Sequence, residues 1–150
     1  MSEKENIDAF FSQQHIAVAG YSRDPKKFGA QVFEMLKIRG YNVYPVNPAG
    51  GQTPDGGIVY PALGELPGEV KAAVILTKPA ITNQVIKEAV KKKLSLLWVQ
   101  QMSDNKETLP LLEQSGLTYI TKRCIFMYAN PGGFHKFHRW LVSLFGRFPK

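Results

Sequence analysis

A chain of 150 residues, 44% hydrophobic and 21% charged, is sized for one domain and can bury a core without disulfides. Cys124 is the only cysteine, which excludes an intrachain disulfide and suits a reducing compartment. The formal net charge of +7 points to an anionic partner, whether nucleic acid, membrane surface or phosphorylated ligand. Residues 1–6 are polar and acidic, unlike a signal peptide, and the longest apolar runs, 72–77 and 94–99, are far too short to span a bilayer. A cytoplasmic protein with no transmembrane segment is expected.

In chain order, Ile7, Phe10 and Phe11 suggest a short amphipathic helix. Residues 15–20 (HIAVAG) read as a buried strand, and 28–39 as a helix with Phe28, Val32, Phe33 and Leu36 on one face and Gly40 as its C-cap glycine. A second strand over 42–46 closes on Asn47-Pro48, and the Gly- and Pro-rich stretch 47–57 is a loop free to approach a ligand. Residues 72–76 form a third strand, and Pro79 opens a helix with Ile81, Val85, Ile86, Ala89 and Val90 on one face. Residues 95–99 are a fourth strand. Asp104 and Glu107 resemble a capping box for the next helix, although Pro110 implies a kink or a start nearer Thr108. Residues 117–121 make the fifth strand.

Strands spaced by helices imply βαβ units. The expected architecture is a single Rossmann-like, doubly wound α/β domain: a five-stranded, mainly parallel sheet with helices on both faces. Its core spans about 14–125, and an extra amphipathic helix follows over about 134–147. Ligands of such sheets bind beyond the carboxyl ends of the strands. The segments to inspect are therefore 20–27, 47–51, 77–79, 100–103 and 122–124.

The first of these begins Gly20-Tyr21-Ser22-Arg23 and runs through Lys26 and Lys27 into the helix. Gly20 permits a tight turn, Ser22 offers a small donor, and the helix start presents N–H groups beside three cations, which together suit a phosphate. The bland alternative is good turn chemistry with exposed lysines; the fold itself favours the phosphate. The dinucleotide fingerprint Gly-x-Gly-x-x-Gly is absent. The second strand ends in Val46-Asn47-Pro48, with no acid before Asp55 where NAD-binding domains hold the ribose hydroxyls. That argues against NAD and permits a nucleotide with a phosphorylated ribose, such as coenzyme A or NADP.

The segments IAVAGYSRDPKKFG, GYNVYPVNP, VYPAL, LPGEVKAAVILTKP, LLWVQ and the stretch at Cys124 resemble the small CoA-binding proteins. Their domain is similar to the CoA-binding N-terminal domain of succinyl-CoA ligase alpha subunits. GYNVYPVNP is the most specific piece. The resemblance implies coenzyme A or an acyl-CoA as ligand, with its phosphates against Ser22, Arg23 and Lys26. It places the adenosine end by Asn47 and Pro48, and puts Thr77, Lys78 and Pro79 in a cleft between the first and fourth strands. Gly20 at the turn and Gln100 at the fourth strand's end complete the expected binding set. The chain departs from the family at Tyr21 (usually Ala), Lys71 (usually Asp) and Gln101-Met102 (often Gly).

Outside that set, Cys124 follows the fifth strand on the ligand side and reads as a buried thiol before a reactive one. His135 and His138 lack a third ligand nearby, so no metal site is expected, and no hydrolase triad or carboxylate pair is visible. Phe134, Phe137, Leu141, Leu144 and Phe148 form one apolar stripe, read first as docking on the domain, then as a homodimer interface, and last as a membrane-surface helix. The expected function is a non-catalytic module for a small-molecule nucleotide ligand. Its rivals are an NADP-type enzyme or part of an acyl-CoA ligase, for whose second domains the chain lacks room. Nucleic-acid binding has support from charge but from no motif.

Overall fold

The computed structural model describes residues 2–129. The chain enters through helix α1 (Glu3–Phe11), where Ser2 and Glu5 form a capping box: the Ser2 Oγ accepts the Glu5 N–H and the Glu5 carboxylate accepts the Ser2 N–H. Strand β1 (His15–Ala19) leads to helix α2 (Phe28–Ile38) and strand β2 (Asn42–Val46). As expected, α2 ends on Gly40 (φ +96), and the Gly40 and Tyr41 N–H groups close a Schellman motif on the Lys37 and Leu36 carbonyls. Strand β3 (Ala72–Ile75), helix α3 (Pro79–Lys92), strand β4 (Leu96–Gln100), helix α4 (Thr108–Ser115) and strand β5 (Thr118–Arg123) complete the alternation.

The five strands lie in the order β2-β1-β3-β4-β5, and every pairing is parallel. Alternation sorts the strand residues between the two faces. Ile16 and Val18 join the layer under α1 and α2, while Ala17 and Ala19 join the layer under α3 and α4. Both faces are thus covered, the arrangement that buried parallel strands require. Phe10 and Trp98, both fully buried, meet with ring centroids 5.5 Å apart and tie α1 to β4. Pro45 is tolerated because β2 is an edge strand: it donates nothing to the ladder, and its carbonyl accepts the Tyr60 N–H at 2.9 Å.

Several expectations shift. The buried stripe of α3 is Thr82, Ile86 and Ala89, whereas Ile81 and Val90 are exposed, because the layer beneath accepts a narrower face than the apolar residues suggest. No Asp104–Glu107 capping box forms. Instead Asn105 Oδ1 accepts the Glu107 N–H; α4 starts at Thr108, one of the two outcomes that Pro110 implied, so Pro110 falls in the first turn, where a missing N–H breaks no helical bond. The fifth strand runs two residues further than expected, to Arg123. The helix expected over about 134–147, with His135 and His138, lies outside the described residues. No helix among the described residues is long and apolar enough to cross a membrane.

Candidate functional site

Strand order reverses between β1 and β3, and this switch point is where doubly wound sheets bind ligands. The expected cleft between the first and fourth strands is corrected here: β3 pairs directly with β1 and separates it from β4. Thr77, Lys78 and Pro79 therefore stand beside the end of β1.

The β1–α2 junction depends on two glycines. Gly20, at φ +105, donates to the Val46 carbonyl alongside Tyr21, holding the turn against the end of β2. A Cβ on Gly29 would lie 2.0 Å from the Gly20 carbonyl oxygen, so only glycine lets α2 start this close to the end of β1. From that turn, Ser22, Arg23 and Asp24 face Asn47, Ala49, Gly50 and Val59 across a pocket of about 250 Å³. The Arg23 guanidinium lies over Gly51, 2.8 Å from where a Cβ would stand.

The walls are fixed by hydrogen bonds. Asn47 donates from Nδ2 to the Tyr21 carbonyl at 2.7 Å and accepts the Ala49 N–H at Oδ1, so its side chain braces one loop against the other. Ser22 Oγ accepts the Asp24 N–H, and Asp24 Oδ1 accepts the Lys26 N–H. The Ser22 hydroxyl keeps its own proton to donate. Arg23, Lys26 and Lys27 are exposed and form no ion pair among the described residues. Three cations against Asp24, at the entry to a helix whose N-cap Lys27 offers no side-chain cap, make a site suited to an anion.

The remaining expected residues separate. Lys26 and Pro48 are exposed beside the pocket without lining it. Thr77 bonds to the buried Thr82 hydroxyl at 2.7 Å, and Lys78 is the N-cap of α3. Gln100 is buried, and its Oε1 accepts the Ile125 N–H at 3.0 Å, so it braces the chain after β5. Pro79 lines a second crevice, of about 560 Å³, with Gln101, Met102, Asp104, Asn105, Lys106 and Lys122. Cys124 is buried in the core layer shared with Trp98. Among the described residues no three His, Cys, Asp or Glu cluster as metal ligands. Tyr21 turns inward, its ring edge-on to Phe33 at 4.9 Å, and burial, followed by Glu34 and Asp55, raises its hydroxyl above the ordinary value.

The expected binding set left out Gly29 and Val59, which lie outside the inspected segments, and Gly51 and Met102, which lie within them. The signal for Gly29 was present, since it closes the first matching segment, but its clash partner is apparent only in three dimensions.

Residues 14–130 match the family model described as "CoA binding domain". The chain belongs to that family. It is 31% identical over 130 residues to the alpha subunit of acetate–CoA ligase (ADP-forming) II from Pyrococcus furiosus, covering 79% of this chain but 28% of that protein. The chain thus spans under a third of that relative's length. It is 27% identical over 124 residues to the uncharacterized protein YneT of Bacillus subtilis, covering 83% of this chain and 91% of that protein. Among solved structures it superposes on a hypothetical protein from Pyrococcus horikoshii with a TM-score of 0.75 at 25% identity, covering 95% of this chain and 93% of that one.

The residues of this CoA-binding domain fit the ligand that its family implies. The pocket combines the Ser22 hydroxyl, the Arg23 guanidinium and a glycine-lined loop close enough for a phosphate to meet backbone, and Lys26 and Lys27 are exposed nearby in sequence without lining it.

Proposed function

We propose that this protein binds coenzyme A, free or acylated, across the carboxyl ends of its parallel strands and works as a binding module without catalytic residues of its own. The phosphates meet Ser22, Arg23 and Lys26; the adenosine end lies over the loop at Asn47 and Pro48; the rest of the ligand passes Thr77, Lys78 and Pro79. The observation that carries this reading is the Ser22–Arg23 turn facing Asn47 and Gly50 across one pocket, in a chain matched by a CoA-binding family model.

The position of Asp55 supports the choice of nucleotide. It is the first acid after β2, and its carboxylate is taken up by Thr53 and by Lys37 at 2.9 Å. It lines a separate pocket at the outer side of β2 and not the one at Ser22. No carboxylate from this loop thus meets the ribose, which favours a ligand whose ribose carries phosphate.

A thermal-shift comparison tests the reading. Coenzyme A at 100 times its dissociation constant should stabilise the fold by about 2.7 kcal/mol, and NAD should do so weakly or not at all. No shift with millimolar coenzyme A beside a clear one with NAD would overturn it. A second reading, that the chain supplies the CoA-binding part of an acyl-CoA ligase, is favoured by the likeness to a ligase alpha subunit. Copurification with a nucleotide-binding partner, and CoA-dependent ATP turnover by the pair, would select it.

A further inference from the structure

The loop that carries Asn47 and Pro48 leaves β2 and returns to it: the Asn47 N–H donates to the Tyr60 carbonyl and the Tyr60 N–H to the Pro45 carbonyl, both at 2.9 Å. A loop closed at its stem in this way is shaped by its own internal contacts. One face, with Asn47, Gly50 and Val59, lines the pocket at Ser22; the other, with Thr53, Asp55 and Gly57, lines a crevice of about 410 Å³ outside β2. Val59 packs into the core layer with Tyr21 and Phe33. Among the described residues, the one hydrogen bond that ties positions 48–59 to another element is the Lys37–Asp55 pair, at 2.9 Å.

The tip of the loop is built around that pair. Thr53, 5% exposed, accepts the Gly57 N–H at Oγ1 and gives its hydroxyl proton to Asp55 Oδ1. The Thr53 N–H donates to the Gly57 carbonyl, and its carbonyl accepts the Gly56 N–H. Both Asp55 oxygens are thereby committed, Oδ1 within the turn and Oδ2 to Lys37. Lys37 stands in the last turn of α2, the helix whose first turn follows Arg23 and Lys26. The 11 residues of α2 span roughly 16 Å, so the loop is tied to the far end of the rod that starts at the phosphate-suited turn. Glu34, the other acid near Lys37, lies on α2 itself and ties nothing to the loop.

Resting on the reading that the adenosine end of coenzyme A lies over this loop, we propose that Lys37, Thr53 and Asp55 are positioning residues, a latch that holds the loop in its ligand-binding shape from the side away from the ligand. None of the three lines the pocket at Ser22. Apparent affinity scales with the fraction of molecules whose site is already formed. With side chains 36% and 63% exposed, the Lys37–Asp55 pair is too open to water to matter much to the whole fold. A loop with a single hydrogen-bonded tie outside its stem responds to it all the same. The latch therefore acts on the nucleotide half of the ligand, and not on the arm that passes Thr77–Pro79.

Calorimetric titration of the full chain with coenzyme A and with phosphopantetheine, which has the arm and one phosphate but no adenosine, tests this. Asp55→Asn and Lys37→Met should each weaken coenzyme A about threefold, the scale of one exposed ion pair, and leave phosphopantetheine affinity and the urea midpoint unchanged. The double variant should be no weaker than either single one, because the pair is lost only once. Thr53→Val, of the same shape, deprives the Gly57 N–H of its acceptor and should weaken coenzyme A about tenfold. In the free Asp55→Asn protein, hydrogen exchange at the Gly57 amide should be faster than in the wild type, and bound coenzyme A should slow it again. Unchanged coenzyme A affinity in Asp55→Asn, equal losses for the two ligands, or additive losses in the double variant would overturn the inference and leave the coenzyme A reading intact. A wild type that binds neither ligand would overturn both.

Discussion

Arg23 and Lys26 stand on the turn where a strand ends and a helix begins, so their charges add to the partial positive charge of that helix start. Hydrogen bonds from charged donors to phosphate are the stronger kind. The double substitution Arg23→Ala and Lys26→Ala should therefore weaken coenzyme A binding by at least tenfold while leaving pantetheine, which carries no phosphate, nearly unaffected; titration of both ligands checks this. Equal losses for the two would place the phosphates elsewhere. Asn47 differs in kind. Its side-chain bonds go to the Tyr21 carbonyl and the Ala49 N–H, so it shapes the pocket through the backbone. Ser22, Arg23 and Asn47 were singled out in the sequence because each lies within a few residues of a strand end, and all three line the pocket. Gln100 was singled out for the same reason. It closes β4, and its side-chain carbonyl turns inward to accept the Ile125 N–H beside the bulged pairing of β4 with β5.

At the scale of elements, the approach of α2 to β1 decides whether the pocket exists. An alanine at position 29 would place its Cβ 2.0 Å from a backbone oxygen, which no rotamer change relieves, so α2 must shift as a body. Overpacking of this sort costs about 1–3 kcal/mol. Gly29→Ala should lower the urea midpoint accordingly and weaken coenzyme A binding as the Gly20–Arg23 turn moves. Gly64→Ala, where the added Cβ meets nothing within 4 Å, should change stability by less than about 0.5 kcal/mol. Equal midpoints for the two variants would refute the argument from close approach. The α3 stripe shows the limit of periodicity from the other side. Ile81 and Val90 satisfy a helical spacing, yet a three-residue stripe, Thr82, Ile86 and Ala89, is what meets the sheet layer.

The whole molecule should respond unequally to acid and base. Burial is the first cause raising the hydroxyls of Tyr21, Tyr41 and Tyr44 above the ordinary 10.0, and Tyr41 also donates to the Phe11 carbonyl at 2.9 Å. Their native pKa values exceed the unfolded ones. The stability they contribute is therefore complete below pH 10 and lost as pH rises through the native values. In acid, Asp55 is held at about 2, first by the Thr53 hydroxyl and then by Lys37; what it contributes is present above about 3.8 and lost as pH falls toward 2. Being fully exposed, it contributes little. Urea midpoints should hold level through neutral pH and fall above pH 10, less steeply in Tyr41→Phe. A wild-type midpoint that does not fall above pH 10 would contradict this account.

By itself the sequence determined the alternation of strand and helix, the glycine turn that carries Ser22 and Arg23 past the first strand, and the lack of an acid between the second strand and Asp55. Each is a local property: side-chain period, turn chemistry and residue type along a few consecutive positions. Tertiary structure alone decided that β3 separates β1 from β4, that Gly29 must be glycine, and that the carboxyl edge divides into one crevice beneath Arg23 and another at Met102. These depend on which distant segments pair across the sheet, and the free energy of that pairing lies in contacts that no window along the chain contains.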